Sequence, residues 1–307
     1  MSDPWPETVA DLLRDRADAR EARDWSRADA LRDRMRELGW EPIDSPAGST
    51  ARPVPQRTQE RASVLDQPAS VPASIVVIVD DHPEDLTRLL AGLHAHPSAI
   101  DHELVLVANA PVGGADGLPH TASGLQLVES ELRLGWADAV NLGLHQARGE
   151  IVVLLDSSLE PTGDFLAPLL SAFEDPAVGL GGPWGVTSHD GRQFDEAPPG
   201  EVDAIEGYCL AIRREALRQI GGFDHRFRFY RNADLDLSFA VRDNGWKAVR
   251  TEPVPLERHD HRGWSAYPEA ERDRLSKRNF YRFLKHWGDR RDLLLQPASR
   301  NERGVPR

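Results

Sequence analysis

Three short stretches gather the side chains that hold cations and move protons. In "GEIVVLLDSSLEP" an aliphatic run ends in Asp156, followed by Ser157, Ser158 and a proline-marked turn. "RNADLDLSFAVRDNGW" sets Asp234 and Asp236 near the start of a helical pattern, and "ERHDHRGW" offers His259 and His261. Carboxylates and imidazoles are ligands for divalent cations and are bases for hydroxyl protons. Each stretch also has a plainer use. Asp and Ser start turns through side-chain hydrogen bonds. Asn232 could cap a helix whose first-turn acids favour the positive end of its dipole.

What must position these groups is an open sheet. "ASIVVIVDD", "HELVLVANA" and "GEIVVLLDSS" are short β-branched runs, separated by helical patterns such as "PEDLTRLLAGLHAH". This alternation predicts parallel strands with crossover helices. A fourth run in "AIEGYCLAIRREALRQIGGFD" leads into a helix ending at Gly221-Gly222, and its lone cysteine, Cys209, reads as core. Ligands of such sheets bind beyond the strands' carboxyl ends, so Asp80, Asp81, Asn109 and Asp156 are expected on one rim. Near the C-terminus, Phe280, Phe283, Leu284 and Trp287 form a helical stripe that packs on the sheet domain. Lys277, Arg278, Arg282 and Lys285 surround it as a solvated face or as groups that approach a bound anion.

With 307 residues the chain can bury a large core, and a formal charge of −13 argues against a protein that covers nucleic acid. One cysteine excludes an internal disulfide framework. The polar N-terminus lacks a signal-peptide pattern and no run reaches spanning length, so a cytoplasmic protein without a transmembrane segment is expected. Residues 1–49 read as a charged two-helix hairpin. A turn and cap lie at Asp24-Trp25-Ser26, Ala28, Leu31, Met35 and Leu38 share one face, and Gly39 marks the stop. Residues 50–72 read as a flexible linker, 73–295 as the α/β domain and 296–307 as a disordered tail.

From about Ser74 to Trp264 the order of motifs resembles glycosyltransferase family 2. The segments are "SIVVIVDDHPEDL", "LRLGWADAVNLGLHQARGEIVVLLDSS" and "GGFDHRFRFYRNADLDLSFAVRDNGW". The resemblance implies a GT-A fold, the Rossmann-like fold of nucleotide-diphospho-sugar transferases. It also implies an inverting transfer of sugar from a nucleoside-diphosphate donor. By this resemblance Asp156 and Ser158 take the ends of the acid-any-acid motif that holds Mg²⁺ or Mn²⁺ against the donor diphosphate. His259 and His261 stand near the family's metal-binding histidine. Asp234 takes the place of the catalytic base, with Asp236 as the acceptor-side fallback. Asp81, Asn109, Gly135 and Asn141 are implied on the donor side, Asn141 contacting the nucleoside or organising its loop. Trp136 reads as flanking the ligand or as packing. Three positions depart from the pattern: Ser158, Ala233 and Ala108 replace acids.

"AREARDWSRADALRDRMRELGW" followed by "IDSPAGS" resembles the C-terminal helical end of cysteinyl-tRNA synthetase, without its catalytic apparatus. The hairpin is then a docking element for a protein partner; RNA contact is the lesser option, because acids outnumber bases there. The leading reading is therefore an enzyme that takes a nucleoside-diphosphate sugar. The alternatives are a catalytically degenerate GT-A domain that binds a nucleotide sugar or partner, and a synthetase-associated adaptor.

Overall fold

The structure is a computed structural model that describes residues 7–38, 40–45, 48–53, 62–79, 81–111 and 124–296. It divides into two compact units, residues 1–61 and 62–307.

In the first unit, helices α1 (Glu7–Glu21) and α2 (Trp25–Glu37) are followed by the antiparallel strands β1 (Trp40–Ser45) and β2 (Gly48–Pro53). Val9, Leu13 and Met35 are buried together, with Trp40 and Ala51 packed against them. The hairpin is thus a helix pair completed by a strand pair. Asp24 caps α2 as expected, its Oδ1 accepting from the Arg27 N–H at 3.0 Å. The expected apolar face holds at Ala28 and Met35, whereas Leu38 is exposed. Gly39 lies outside the described residues.

The second unit contains, in order, β3 (Val71–Val79), α3 (Pro83–Ala95), β4 (His102–Asn109), β5 (Leu125–Ser130), α4 (Trp136–Leu144), β6 (Gly149–Leu155), β7 (Leu159–Pro161) and α5 (Leu166–Ser171). There follow β8 (Val178–Gly182), β9 (Gly185–Thr187), β10 (Asp195–Glu196), β11 (Gly200–Val202), β12 (Ala204–Ile205), β13 (Cys209–Arg213) and α6 (Arg214–Ile220). The described chain ends with α7 (Ala233–Asp243), β14 (Lys247–Arg250), β15 (Leu256–Arg258), α8 (Arg262–Ser265) and α9 (Glu269–Trp287).

Eight strands form one sheet in the order β11-β14-β8-β13-β6-β3-β4-β5. The period of two explains its two-sided core. Along β6, Ile151, Val153 and Leu155 join Leu86 and Leu89 of α3 and Leu166 and Leu169 of α5. Val152 and Leu154 join Val140 of α4, Leu217 of α6 and Leu237 of α7 on the other face. Gly143 is required where α4 crosses the sheet, because a Cβ there would lie 2.6 Å from both Val76 and Val107 side chains. As the stripe predicts, Phe283 and Trp287 of α9 are buried, against Phe239 of α7.

Two expectations are corrected. The strands β6, β3, β4 and β5 are parallel, but β13 runs antiparallel to both β6 and β8, so the sheet is mixed. The proposed 50–72 linker also includes ordered segments at both its ends. Residues 50–53 belong to β2, and 62–70 dock on the sheet unit with Leu65 buried. Arg214 donates to the carbonyls of Val64, Gln67 and Ala147, and Val64 N–H donates to the His145 carbonyl at 2.9 Å. Of the predicted tail, residues 297–307 lie outside the described ones.

Candidate active site

Asp81, Asn109 and Asp156 follow or end β3, β4 and β6, three neighbouring parallel strands, so they stand on one rim as the topology predicts. Asp80 lies outside the described residues. A cavity of about 180 Å³ opens at this rim, lined by Asn109, Trp136, Asp156, Arg228, Tyr230 and His261, among others. A recess of about 30 Å³ shares Trp136, Asp156, Tyr230 and His261 with it and reaches Glu206, Arg231 and Asp234.

Asp156 is held by protein donors on both oxygens. Its Oδ1 accepts from the Ser158 N–H at 2.9 Å and the Ser158 hydroxyl at 2.5 Å. Its Oδ2 lies 3.3 Å from His261 Nε2. His261 Nδ1 accepts from the Trp264 N–H at 3.1 Å, at the start of α8, which puts the ring proton on Nε2, facing the carboxylate. Burial pushes the Asp156 carboxyl up, but the His261 contact and the Ser158 bonds outweigh it and hold the group below its ordinary value. The His261 ring stacks on Tyr230, with centroids 4.6 Å apart and planes 8° from parallel.

Asp234 lies across the recess, in the first turn of α7. Its Oδ2 accepts from the Gly207 N–H at 2.9 Å and its Oδ1 from the Leu235 N–H at 3.0 Å. Burial outweighs these bonds and raises its carboxyl. The helix has no side-chain cap from Asn232, contrary to the plainer expectation. Asn232 sits in the left-handed region at φ 65° and donates to the Ser276 carbonyl of α9 instead.

Several predicted residues serve the scaffold. Asp236 is not among the cavity's lining; it is buried on the other side of α7 and accepts from Trp287 Nε1 at 2.8 Å. Two helical positions are about 200° apart, so α7 cannot present both acids to one site. Asn141 clamps the loop after α6, donating to the Phe223 carbonyl at 2.7 Å and accepting from its N–H at 2.8 Å. At Gly135 the close approach is that of Arg228, whose side chain would stand 3.2 Å from a Cβ there. Asn109 ties down the loop before α4, exchanging hydrogen bonds with the Leu134 backbone. Asp81 pairs with Arg133, which lines the cavity. Trp136 both lines the cavity and packs edge-on against Phe223 at 4.9 Å.

The dihistidine pair is divided. His259 Nε2 lies 2.8 Å from Glu160 Oε2, not at Asp156. Glu160, Glu257 and His259 bring one ligand atom each within 4.8 Å of one another, a spacing that suits a divalent cation. Asp156 and His261 acquire no third His, Cys, Asp or Glu at that spacing among the described residues. Sequence reasoning missed Glu160, Glu257, Arg133, Arg228 and Tyr230. Signals were present in the alternation of "DSSLE" and "ERHDH" and in the basic-aromatic run "FRFYRN".

The model of glycosyl transferase family 2 matches residues 62–239, more than half of the chain. The chain belongs to that family. Residues 2–40 match the model described as cysteinyl-tRNA ligase anticodon binding domain. The chain is 29% identical over 165 residues to the pre-mycofactocin glycosyltransferase of Mycobacterium tuberculosis, covering 48% of this chain and 33% of that protein. It is 27% identical over 258 residues to the O-antigen biosynthesis protein RfbC of Myxococcus xanthus, covering 71% of this chain and 20% of that one. It therefore spans a third or less of these two relatives. A structure of GalNAc-T7 with UDP, GalNAc and Mn²⁺ matches with a TM-score of 0.57 at 16% identity, over 72% of this chain and 49% of that one. The mannosyltransferase PcManGT from Pyrobaculum calidifontis, in complex with GDP-Man and Mn²⁺, matches with a TM-score of 0.53 at 22% identity, over 72% and 68%. These likenesses establish the GT-A-like α/β fold. No described helix is long and apolar enough to cross a membrane.

Proposed function

We propose that the sheet unit transfers a sugar, with inversion, from a nucleoside-diphosphate donor held in the rim cavity to a hydroxyl acceptor entering through the recess. The observation that carries the reading is the convergence of Asp156 and Asp234, distant in sequence, on one recess beside that cavity.

In this scheme the acceptor oxygen attacks the anomeric carbon from the face opposite the diphosphate. Its proton passes to Asp234 while the carbon–oxygen bond to the leaving phosphate breaks with its electron pair. Burial favours Asp234 as the base, because a raised carboxyl binds the proton more strongly. Arg133 and Arg228, which line the cavity, are the positive groups that offset charge on the diphosphate.

A cation at Asp156, as the family implies, does not fit the residues as they are arranged. The donor set carries one carboxylate, Ser158 is neutral, and binding at His261 Nε2 would move the ring proton to Nδ1, against the Trp264 N–H. The mechanism above therefore runs through protein groups alone. The same saturation of Asp156 favours the second reading, a domain that binds a nucleotide sugar without turning it over.

Calorimetric titration with UDP, GDP and their sugars, with Mn²⁺ or with chelator, separates the readings. Nucleotide binding that persists in chelator, with diphosphate release that falls about 10²- to 10⁴-fold in Asp234→Asn while nucleotide affinity is kept, supports transfer. Unchanged release in Asp234→Asn refutes its assigned role. Binding without any turnover supports the second reading, and no nucleotide binding removes both in favour of a protein-partner role.

A further inference from the structure

We infer that Glu160, Glu257 and His259 form a binding site for one divalent transition-metal ion, Zn²⁺ or Mn²⁺, separate from the Asp156–His261 pair. The ribbon β7/β15 builds it. Glu160 stands directly opposite Glu257 in the antiparallel register, and the ladder continues through the His259 N–H, which donates to the Ser158 carbonyl at 3.0 Å. Residues two apart on a strand share a face, so Glu257 and His259 project together toward Glu160.

Three features favour a cation. First, two like charges directly opposite on a ribbon repel, and an ion between them turns that cost into a gain. Arg88 Nε, 3.8 Å from Glu160 Oε2, offsets part of the repulsion and touches only that glutamate among the three. Second, two carboxylates and a neutral imidazole balance a doubly charged ion, whereas the Asp156 set brings a single carboxylate. Third, the ligand ring can adopt the needed tautomer. His259 Nδ1 has no partner among the described residues, so its proton can sit there and leave Nε2 to the metal. His261 lacks that freedom, since its Nδ1 already accepts from Trp264. Imidazole with carboxylates at three positions, and open positions left for water, suits Zn²⁺ or Mn²⁺ rather than Mg²⁺. A bound ion would fasten β15 to β7 two residues before His261, and so order the strand end that carries it.

The test uses the full chain stripped with chelator and titrated with ZnCl₂ or MnCl₂ alone, without nucleotide, so that its outcome is independent of the proposed transfer activity. One ion is expected to bind the wild type and Asp156→Ala alike. Binding at least about tenfold weaker is expected in both Glu257→Gln and His259→Gln. Zn²⁺ should also raise the melting temperature of the wild type and not that of Glu257→Gln, a side-chain change at an exposed position. No binding to the wild type, equal binding to Glu257→Gln and His259→Gln, or loss of the ion in Asp156→Ala would each overturn the assignment.

Discussion

Restoring the missing acid, Ser158→Asp, tests the electrostatic account of the rim. The Ser158 hydroxyl stands 2.5 Å from Asp156 Oδ1 and is buried, so a carboxylate placed there has little room to move away. Two unit charges about 4 Å apart repel by about 4 kcal/mol at an effective dielectric constant near 20. The variant also loses the Ser158 hydroxyl bond, while the His261 contact on the other oxygen takes up part of the repulsion. A net cost of about 2 kcal/mol at pH 7 in chelator is expected, which for a unit of this size lowers the melting temperature by about 4–8 °C. The cost requires both carboxylates to be ionised, so it should shrink as the pH falls toward the carboxylate range. Mn²⁺ should reverse it, since an ion at a hundred times its dissociation constant stabilises by about 2.7 kcal/mol. The assay is thermal unfolding with chelator and with Mn²⁺, in a Glu257→Gln background to silence the ribbon site. Equal melting of parent and variant in chelator, or equal shifts of both with Mn²⁺, would refute the reasoning.

Two further changes probe the scaffold behind the site. Trp287→Phe removes the indole N–H that donates to the buried Asp236 carboxylate at 2.8 Å and should cost about 1–3 kcal/mol. Burial already raises the Asp236 carboxyl, and losing the Trp287 bond raises it further, so the cost should be small below about pH 4 and grow as pH rises through the folded-state value. Urea titrations at acid and neutral pH check this, and a cost that is larger in acid contradicts it. Arg214→Ala leaves the carbonyls of Val64, Gln67 and Ala147 without their guanidinium donor. Hydrogen exchange in residues 62–70 should accelerate while β6 stays protected, and uniform acceleration across both would show that the segment is not a separately released strap.

Much of the fold was legible because burial on both faces leaves a contiguous aliphatic signature. β3, β4 and β6 are such runs, and their first polar residues mark the rim where the cavity lies. The strands β9, β10 and β12 are two or three residues long, too short to carry any period, and their small sheet went unread. The direction of β13 was hidden for another reason. Its composition is that of a buried strand, and composition does not state which way a strand runs between β6 and β8.

At the site, residue type was legible and partnership was not. Helical geometry alone says that only one of Asp234 and Asp236 can face a given cleft; the anchor that decides, Trp287, lies 51 positions from Asp236 on another helix. The histidines pose the same problem on a ribbon. "ERHDH" displays Glu257, His259 and His261 at a period of two, and "DSSLE" displays Asp156, Ser158 and Glu160 likewise. Both strings announce ligand-bearing faces, yet the pairing depends on register between segments 99 residues apart at the Glu160–His259 contact. A slip of two residues would join His259 to Asp156 and dissolve the glutamate cluster. The observed register instead gives His261 to Asp156 and His259 to Glu160, and the Trp264 N–H then fixes the tautomer of the first ring while leaving the second free. Two identical side chains two positions apart thus acquire opposite capacities for metal, through one hydrogen bond by which the first of them to meet a helix start, His261, caps α8.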